Sequence, residues 1–150
     1  MELRKTFQFE AAHLLPKLPK SHKCRRLHGH SFVVEVVVAG ECDANLGWVM
    51  DYASISEAFK PIWKRLDHRY LNEIPGLKNP TSENIAIWIW RRLQPRLPLL
   101  SEVVVAETCT ARCVYRGRES DSEMPRHTEA TRTRREPARR LAPTRRSTFH

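Results

Sequence analysis

Two stretches of this chain alternate between apolar and polar residues, and both place histidine where they place core. In the first, Leu3, Phe7, Phe9, Ala11 and His13 share one parity while Glu2, Arg4, Thr6, Gln8 and Glu10 share the other. In the second, His28, His30, Phe32, Val34, Val36 and Val38 fall on one face. A period of two is the mark of a half-buried strand. Side chains at i and i+2 of a strand point the same way, roughly 6 to 7 Å apart, so His28 and His30 are aimed together. Antiparallel pairing of the two strands would carry His13 toward them.

The remaining elements follow from period and punctuation. Asp51 or Ser54 caps a helix running to about Leu66, in which Ile55, Phe59, Ile62 or Trp63, and Leu66 recur at helical spacing. Pro61 lies inside that pattern and is expected to kink or split it. After the loop Ile74-Pro-Gly-Leu-Lys-Asn-Pro80, Thr81 caps a second helix with Ile85, Trp88, Ile89 and Leu93 on its apolar side, stopped by Pro95 and Pro98. Trp88 and Trp90 cannot share one helical face, which predicts Trp88 in the core and Trp90 at a subunit contact. Ser101 to Thr110 reads as a strand, and Arg112 to Gly117 as its short partner across a tight turn. The order ββααββ predicts an α+β fold: an antiparallel sheet with both helices on one face.

A chain of 150 residues builds one core, and this pattern closes by residue 117. From Arg118 to His150 the chain carries nine arginines against five acids, net +4 (9 − 5), leaving +5 (17 − 12) of the total +9 for the rest. That stretch has almost no aliphatic residues beyond Leu141, too few to offset chain entropy, so it is expected to be a disordered tail. Net charge alone gives non-specific attraction, and nucleic acid is not the expected partner. The amino terminus runs directly into strand-like sequence and no apolar run approaches bilayer length, which predicts a soluble, cytoplasmic protein. Cys24, Cys42, Cys109 and Cys113 form no dense framework and are expected to be thiols.

Three imidazoles converging from two strands suit a zinc ion and would leave its fourth position open, the pattern of catalytic sites. The competing reading is that each histidine is a satisfied core residue. Cys24 sits among Lys20, Lys23, Arg25 and Arg26, cations that favour a thiolate. It reads equally as a catalytic base, a fourth ligand or an inert loop thiol. Asp67-His68 at a helix end can form a carboxylate-oriented imidazole, although adjacent residues rarely bond each other, which favours a solvated pair. Glu107 is an acid on an apolar parity and wants donors: the N–H edge of a heterocycle, or an arginine. The basic loop would attract a polyanion to an open metal site.

Taken together, Phe9-Glu-Ala-Ala-His13, Cys24-Arg-Arg-Leu-His28-Gly-His30, Trp48-Val-Met-Asp51, Leu66-Asp-His68, Asn79-Pro-Thr-Ser-Glu83 and Glu107-Thr-Cys-Thr-Ala111 resemble the 6-pyruvoyltetrahydropterin synthase family over about residues 4 to 117. The resemblance implies the tunnelling fold (T-fold), a four-stranded antiparallel sheet with two helices, assembled as a homo-oligomer, trimer or hexamer, with active sites at subunit interfaces. It implies Zn2+ on His13, His28 and His30, Cys24 as the proton-abstracting thiolate, and Asp67 and His68 as a relay supplied by a neighbouring subunit. Glu107 would anchor a pterin ring, with Thr81, Ser82 and Glu83 shaping its pocket. Only Arg25, Arg26 and Leu27 separate Cys24 from His28, a spacing similar to the 6-carboxytetrahydropterin synthase branch; the pyruvoyl enzymes usually have five residues there. The activity implied is conversion of 7,8-dihydroneopterin triphosphate to 6-carboxy-5,6,7,8-tetrahydropterin with release of acetaldehyde and triphosphate, in queuosine biosynthesis. The alternatives are triphosphate elimination of the pyruvoyl type, and a non-catalytic zinc or RNA-binding module.

Overall fold

A computed structural model describes residues 1–118. Strands β1 (Glu2–His13) and β2 (His28–Ala39) pair antiparallel along their full length, from Glu2 opposite Ala39 to His13 opposite His28. Helix α1 (Tyr52–Leu66) follows, then the two-residue strand β3 (Arg69–Tyr70), helix α2 (Ser82–Leu93), and strands β4 (Leu100–Ala106) and β5 (Arg112–Tyr115). The sheet order is β3-β1-β2-β4-β5. Four antiparallel strands and two helices match the expected architecture; the correction is a fifth strand, β3, parallel to β1 through Ala11–Arg69 and Ala12–Tyr70. Two residues carry no periodic signal, so β3 could not be read from alternation.

The core lies between the sheet and the helices, and the strand parities read from sequence are the buried ones. Phe9 and Phe32 face each other across β1 and β2 with ring centroids 4.9 Å apart, and Phe7 stacks on Phe59 of α1 at 4.3 Å. Such aromatic pairs contribute beyond the area they bury, about 0.5–1.5 kcal/mol each. On α1, Ile55, Phe59, Ile62 and Leu66 are buried, which settles the choice between Ile62 and Trp63. The Asp51 carboxylate caps α1 by accepting from the Ala53 N–H, and the Thr81 hydroxyl caps α2 by accepting from the Asn84 N–H.

One expectation is narrowed and two are corrected. Of the kink or split expected at Pro61, the split does not occur, since α1 is continuous from Tyr52 to Leu66. The residue is exposed, as is Glu57, so water can solvate the carbonyl that loses its helical donor. Trp90 is not at a subunit contact but buried within the chain, edge-on to Tyr115 at 5.6 Å. Gly117, at φ +77°, lies so close to this indole that a Cβ there would fall 2.4 Å from it. The strand expected over 101–110 ends at Ala106, leaving Glu107 in the turn before β5.

On the sheet face away from the helices, Glu102 is buried and receives both Arg4 (3.0 Å) and Arg116 (2.9 Å), with Arg4 also reaching Glu35. A buried carboxylate needs such donors. All four cysteines are free thiols. No helix among the described residues is long and apolar enough to cross a membrane. The expected tail, apart from Arg118, lies outside the described residues.

Candidate metal centre and active site

His13 and His28 are the last directly opposed pair of β1 and β2, and His30 lies opposite Ala11, two positions away on the same face. The register therefore gathers three imidazoles at one end of the sheet, with ring centroids 4.6, 5.2 and 4.9 Å apart. Their ligating nitrogens all lie within 4.8 Å of one another. Phe32 closes the inner side, edge-on to both His13 and His30.

The tautomers follow from the partners. His13 Nδ1 lies 2.9 Å from the Pro80 carbonyl, and His28 Nδ1 lies 2.7 Å from the Arg26 carbonyl. A carbonyl can only accept, so each Nδ1 must carry the hydrogen, and each Nε2 is left with a lone pair. Those two lone pairs face each other at 3.1 Å. Two acceptors at that distance repel unless a cation lies between them. A tetrahedral ion with metal–nitrogen bonds of about 2.0–2.1 Å sets its donors about 3.3–3.4 Å apart, close to the spacing found. Burial, the largest influence, pushes the His13 imidazole below its ordinary value, as do the neighbouring His28 and His30; the Pro80 carbonyl and Glu107 act the other way. Burial thus favours the neutral form of His13, the form that binds metal. The three imidazoles can hold a metal ion.

Cys24 is half-buried in a single 3-10 turn, Lys23–Arg25, capped by His22, whose Nδ1 accepts from the Cys24 N–H. Its carbonyl accepts from the Leu15 N–H at 2.8 Å, tying the turn to the chain just past His13. Among the described residues the converging donors are the three imidazoles and do not include Cys24. Pro80, the acceptor for His13, precedes Thr81, Ser82 and Glu83, so this loop abuts the metal cluster through its backbone. Glu83 is exposed in the first turn of α2. Glu107 is half-buried, close enough for its charge to act on His13, and pairs with no arginine of the described residues.

Asp67 and His68 overturn one expectation: they do bond each other directly, His68 Nδ1 to Asp67 Oδ2 at 2.8 Å. The reason is the backbone of His68 at φ +55°, a left-handed conformation uncommon outside glycine, which turns the ring back onto its neighbour. Glu10 of β1 clamps the pair, its N–H donating to Asp67 Oδ1 at 3.0 Å and its carbonyl accepting from the His68 N–H at 2.6 Å. The Glu10 amide first, and His68 second, hold the Asp67 carboxyl below the usual carboxylate range. The His68 side chain is 78% exposed. It lines an open groove of about 580 Å³ together with Glu10, Gly29, His30, Ser31 and Tyr70.

With this geometry in place the comparisons with known proteins become decisive. The family model for 6-pyruvoyl tetrahydropterin synthase matches residues 2–118, all but the last stretch of the chain. The chain belongs to that family. It is 46% identical to the 6-carboxy-5,6,7,8-tetrahydropterin synthase of Synechocystis sp., over 74% of this chain and 89% of that one. It is 44% identical to the dihydroneopterin monophosphate aldolase of Pyrococcus furiosus, over 60% and 72%. Among solved structures, the 6-pyruvoyl tetrahydropterin synthase of Caenorhabditis elegans superposes with a TM-score of 0.73 at 29% identity, covering 79% of this chain and 96% of that one. The fold is therefore the T-fold of the synthase family. Three differently named activities on one scaffold mean that the branch must be argued from the site.

Sequence reasoning missed the two carbonyls, of Pro80 and Arg26, that orient the imidazoles, and the amide of Asn72 discussed below. Carbonyls leave no trace in residue identity.

Proposed function

We propose that this protein is a zinc-dependent 6-carboxy-5,6,7,8-tetrahydropterin synthase, taking 7,8-dihydroneopterin triphosphate to the 6-carboxy product with release of acetaldehyde and triphosphate, on a route to queuosine. The observation that carries the reading is the converging, carbonyl-oriented trio His13, His28 and His30 in a chain 46% identical to a synthase of that name. The three-residue interval between Cys24 and His28 supports the carboxy branch over pyruvoyl-type elimination.

When bound, zinc supplies a Lewis acid for the side-chain oxygens of the substrate. The chain's own groups do the rest. Cys24, as thiolate, takes a proton from the pterin side chain. His68 gives and receives protons, with Asp67 fixing its Nδ1–H so that Nε2 faces outward. Glu107 accepts from the N–H edge of the pterin, and Thr81, Ser82 and Glu83 border the ring. Lys20, Lys23, Arg25 and Arg26 receive the triphosphate. The exposure of His68 supports a relay that serves a neighbouring subunit in a homotrimer or hexamer. Four free thiols suit a reducing, cytoplasmic compartment. Residues 1–117 form the catalytic domain, with 118–150 an accessory tail.

Incubation of the zinc-loaded protein with dihydroneopterin triphosphate tests the proposal. Stoichiometric acetaldehyde and the 6-carboxy product are expected; triphosphate release without acetaldehyde assigns the pyruvoyl reaction instead.

A further inference from the structure

β1 ends at His13, and the next residue, Leu14, has no strand partner: its β2 neighbour is spent at His28 and β3 stops opposite Ala12. The amide of Asn72 takes that place. Asn72 Oδ1 accepts from the Leu14 N–H at 3.0 Å, and Asn72 Nδ2 donates to the Leu14 carbonyl at 2.8 Å. The second hydrogen of the same Nδ2 goes to the Lys78 carbonyl at 3.2 Å. Only one orientation of the amide serves a backbone donor and two backbone acceptors, so oxygen and nitrogen are assigned by the partners. The side chain acts as a substitute peptide group, extending the β1 edge by one residue and binding it to the loop before α2.

Both supports of His13 pass through this one residue. Leu14 is covalently next to His13 and sets where its Cα lies. Lys78 stands two residues before Pro80, whose carbonyl holds His13 Nδ1 at 2.9 Å. The neighbouring Leu15 N–H then reaches the Cys24 carbonyl, so the same segment ties down the turn that carries the proposed base. Asn72 touches neither the converging nitrogens nor the groove beside His68.

We infer that Asn72 is a positioning residue for the metal centre, fixing the aim of His13 Nε2 by clamping the backbone beside it and the loop that holds its other nitrogen. The inference rests on the metal-site reading above. Groups that orient metal-bound imidazoles typically change metal affinity about 10–100-fold when removed. Neither test residue meets this demand: aspartate lacks both donors and would set a charge against two carbonyls, and serine is too short to span the gap.

The test uses the full chain with Asn72→Asp, Asn72→Ser and, as control, Ser101→Ala, which loses a hydrogen bond to the Val37 carbonyl at 3.2 Å elsewhere in the sheet. Zinc affinity by chelator competition and the visible spectrum of the cobalt-substituted protein are read alongside circular dichroism. Zinc binding about 10–100-fold weaker and an altered cobalt spectrum are expected for both Asn72 variants, with Ser101→Ala within twofold of the parent. Parent-like affinity and spectrum in either folded variant overturn the inference. Loss of fold in both also overturns it, since Asn72 would then be a general structural residue. A parent chain that takes up no zinc fails at a different point: it removes the metal-site reading itself.

Discussion

The two chemistry-bearing groups at one end of the sheet, the exposed one and the buried one, are built on opposite plans. The imidazole trio is finished within one chain: His13 is buried, His13 and His28 are each fixed by a carbonyl, and the nitrogens already face one another. The Asp67–His68 pair is held just as firmly by the Glu10 backbone, yet its imidazole stands 78% in solvent. The difference teaches where each group finds its target. Converging nitrogens come from the antiparallel register, whereas the left-handed turn at His68 leaves its ring in solvent while bonding it to Asp67.

The comparison breaks most sharply on substitution. His28→Ala is expected to abolish stoichiometric zinc, whereas Cys24→Ala should keep the zinc and lose about 10²–10⁴-fold in turnover, read by metal analysis beside the acetaldehyde assay. Zinc-free Cys24→Ala protein would put Cys24 among the ligands after all.

A smaller effect attends the exposed group. His68→Ala and Asp67→Asn should lower kcat by about 10²-fold with metal content unchanged. If the relay serves a neighbouring subunit, co-assembled Cys24→Ala and His68→Ala chains regain activity that neither has alone. No recovery in the mixed oligomer would place the relay in its own subunit's site.

The metal-free protein sharpens the contrast by pH. The folded state lowers the affinity of His13 for protons, so the unfolded chain binds more of them below its ordinary value of 6.5. Stability should be fully present above about pH 6.5 and fall as the pH drops below it toward the depressed folded value. Urea midpoints at pH 7.5 and 5.5 measure this, and His13→Gln should flatten the difference. The smallest effect is expected from truncation: ending the chain after Arg118 should leave kcat and zinc content unchanged, and a large loss would give the arginine-rich tail a catalytic role.

Much of this was legible in the residues. The two alternating runs placed the long strands and put all three histidines on the core parity, because a period of two cannot be shifted by one without turning the core outward. Thr81 marked the start of α2 by its capping chemistry, and Asp51, one of two candidates with Ser54, is the cap of α1. Trp90, by contrast, was misplaced. Helical spacing separates it from Trp88, but β5 folds over that second face and buries Trp90 as well. The bond between Asp67 and His68 was discounted because adjacent side chains diverge in ordinary backbone, and only φ +55° brings them together.

The sequence by itself determined the order of the long strands and helices, the face each long strand buries and the three histidines placed to converge, because these depend on local period and on side-chain chemistry. Tertiary structure alone decided what those ligands lean on: the Pro80 and Arg26 carbonyls, the Glu10 clamp, the Asn72 amide and the Arg4–Glu102–Arg116 cluster on the opposite face. The physical reason is that backbone donors and acceptors are the same at every residue, so their roles exist only once the chain has brought distant segments within hydrogen-bonding distance.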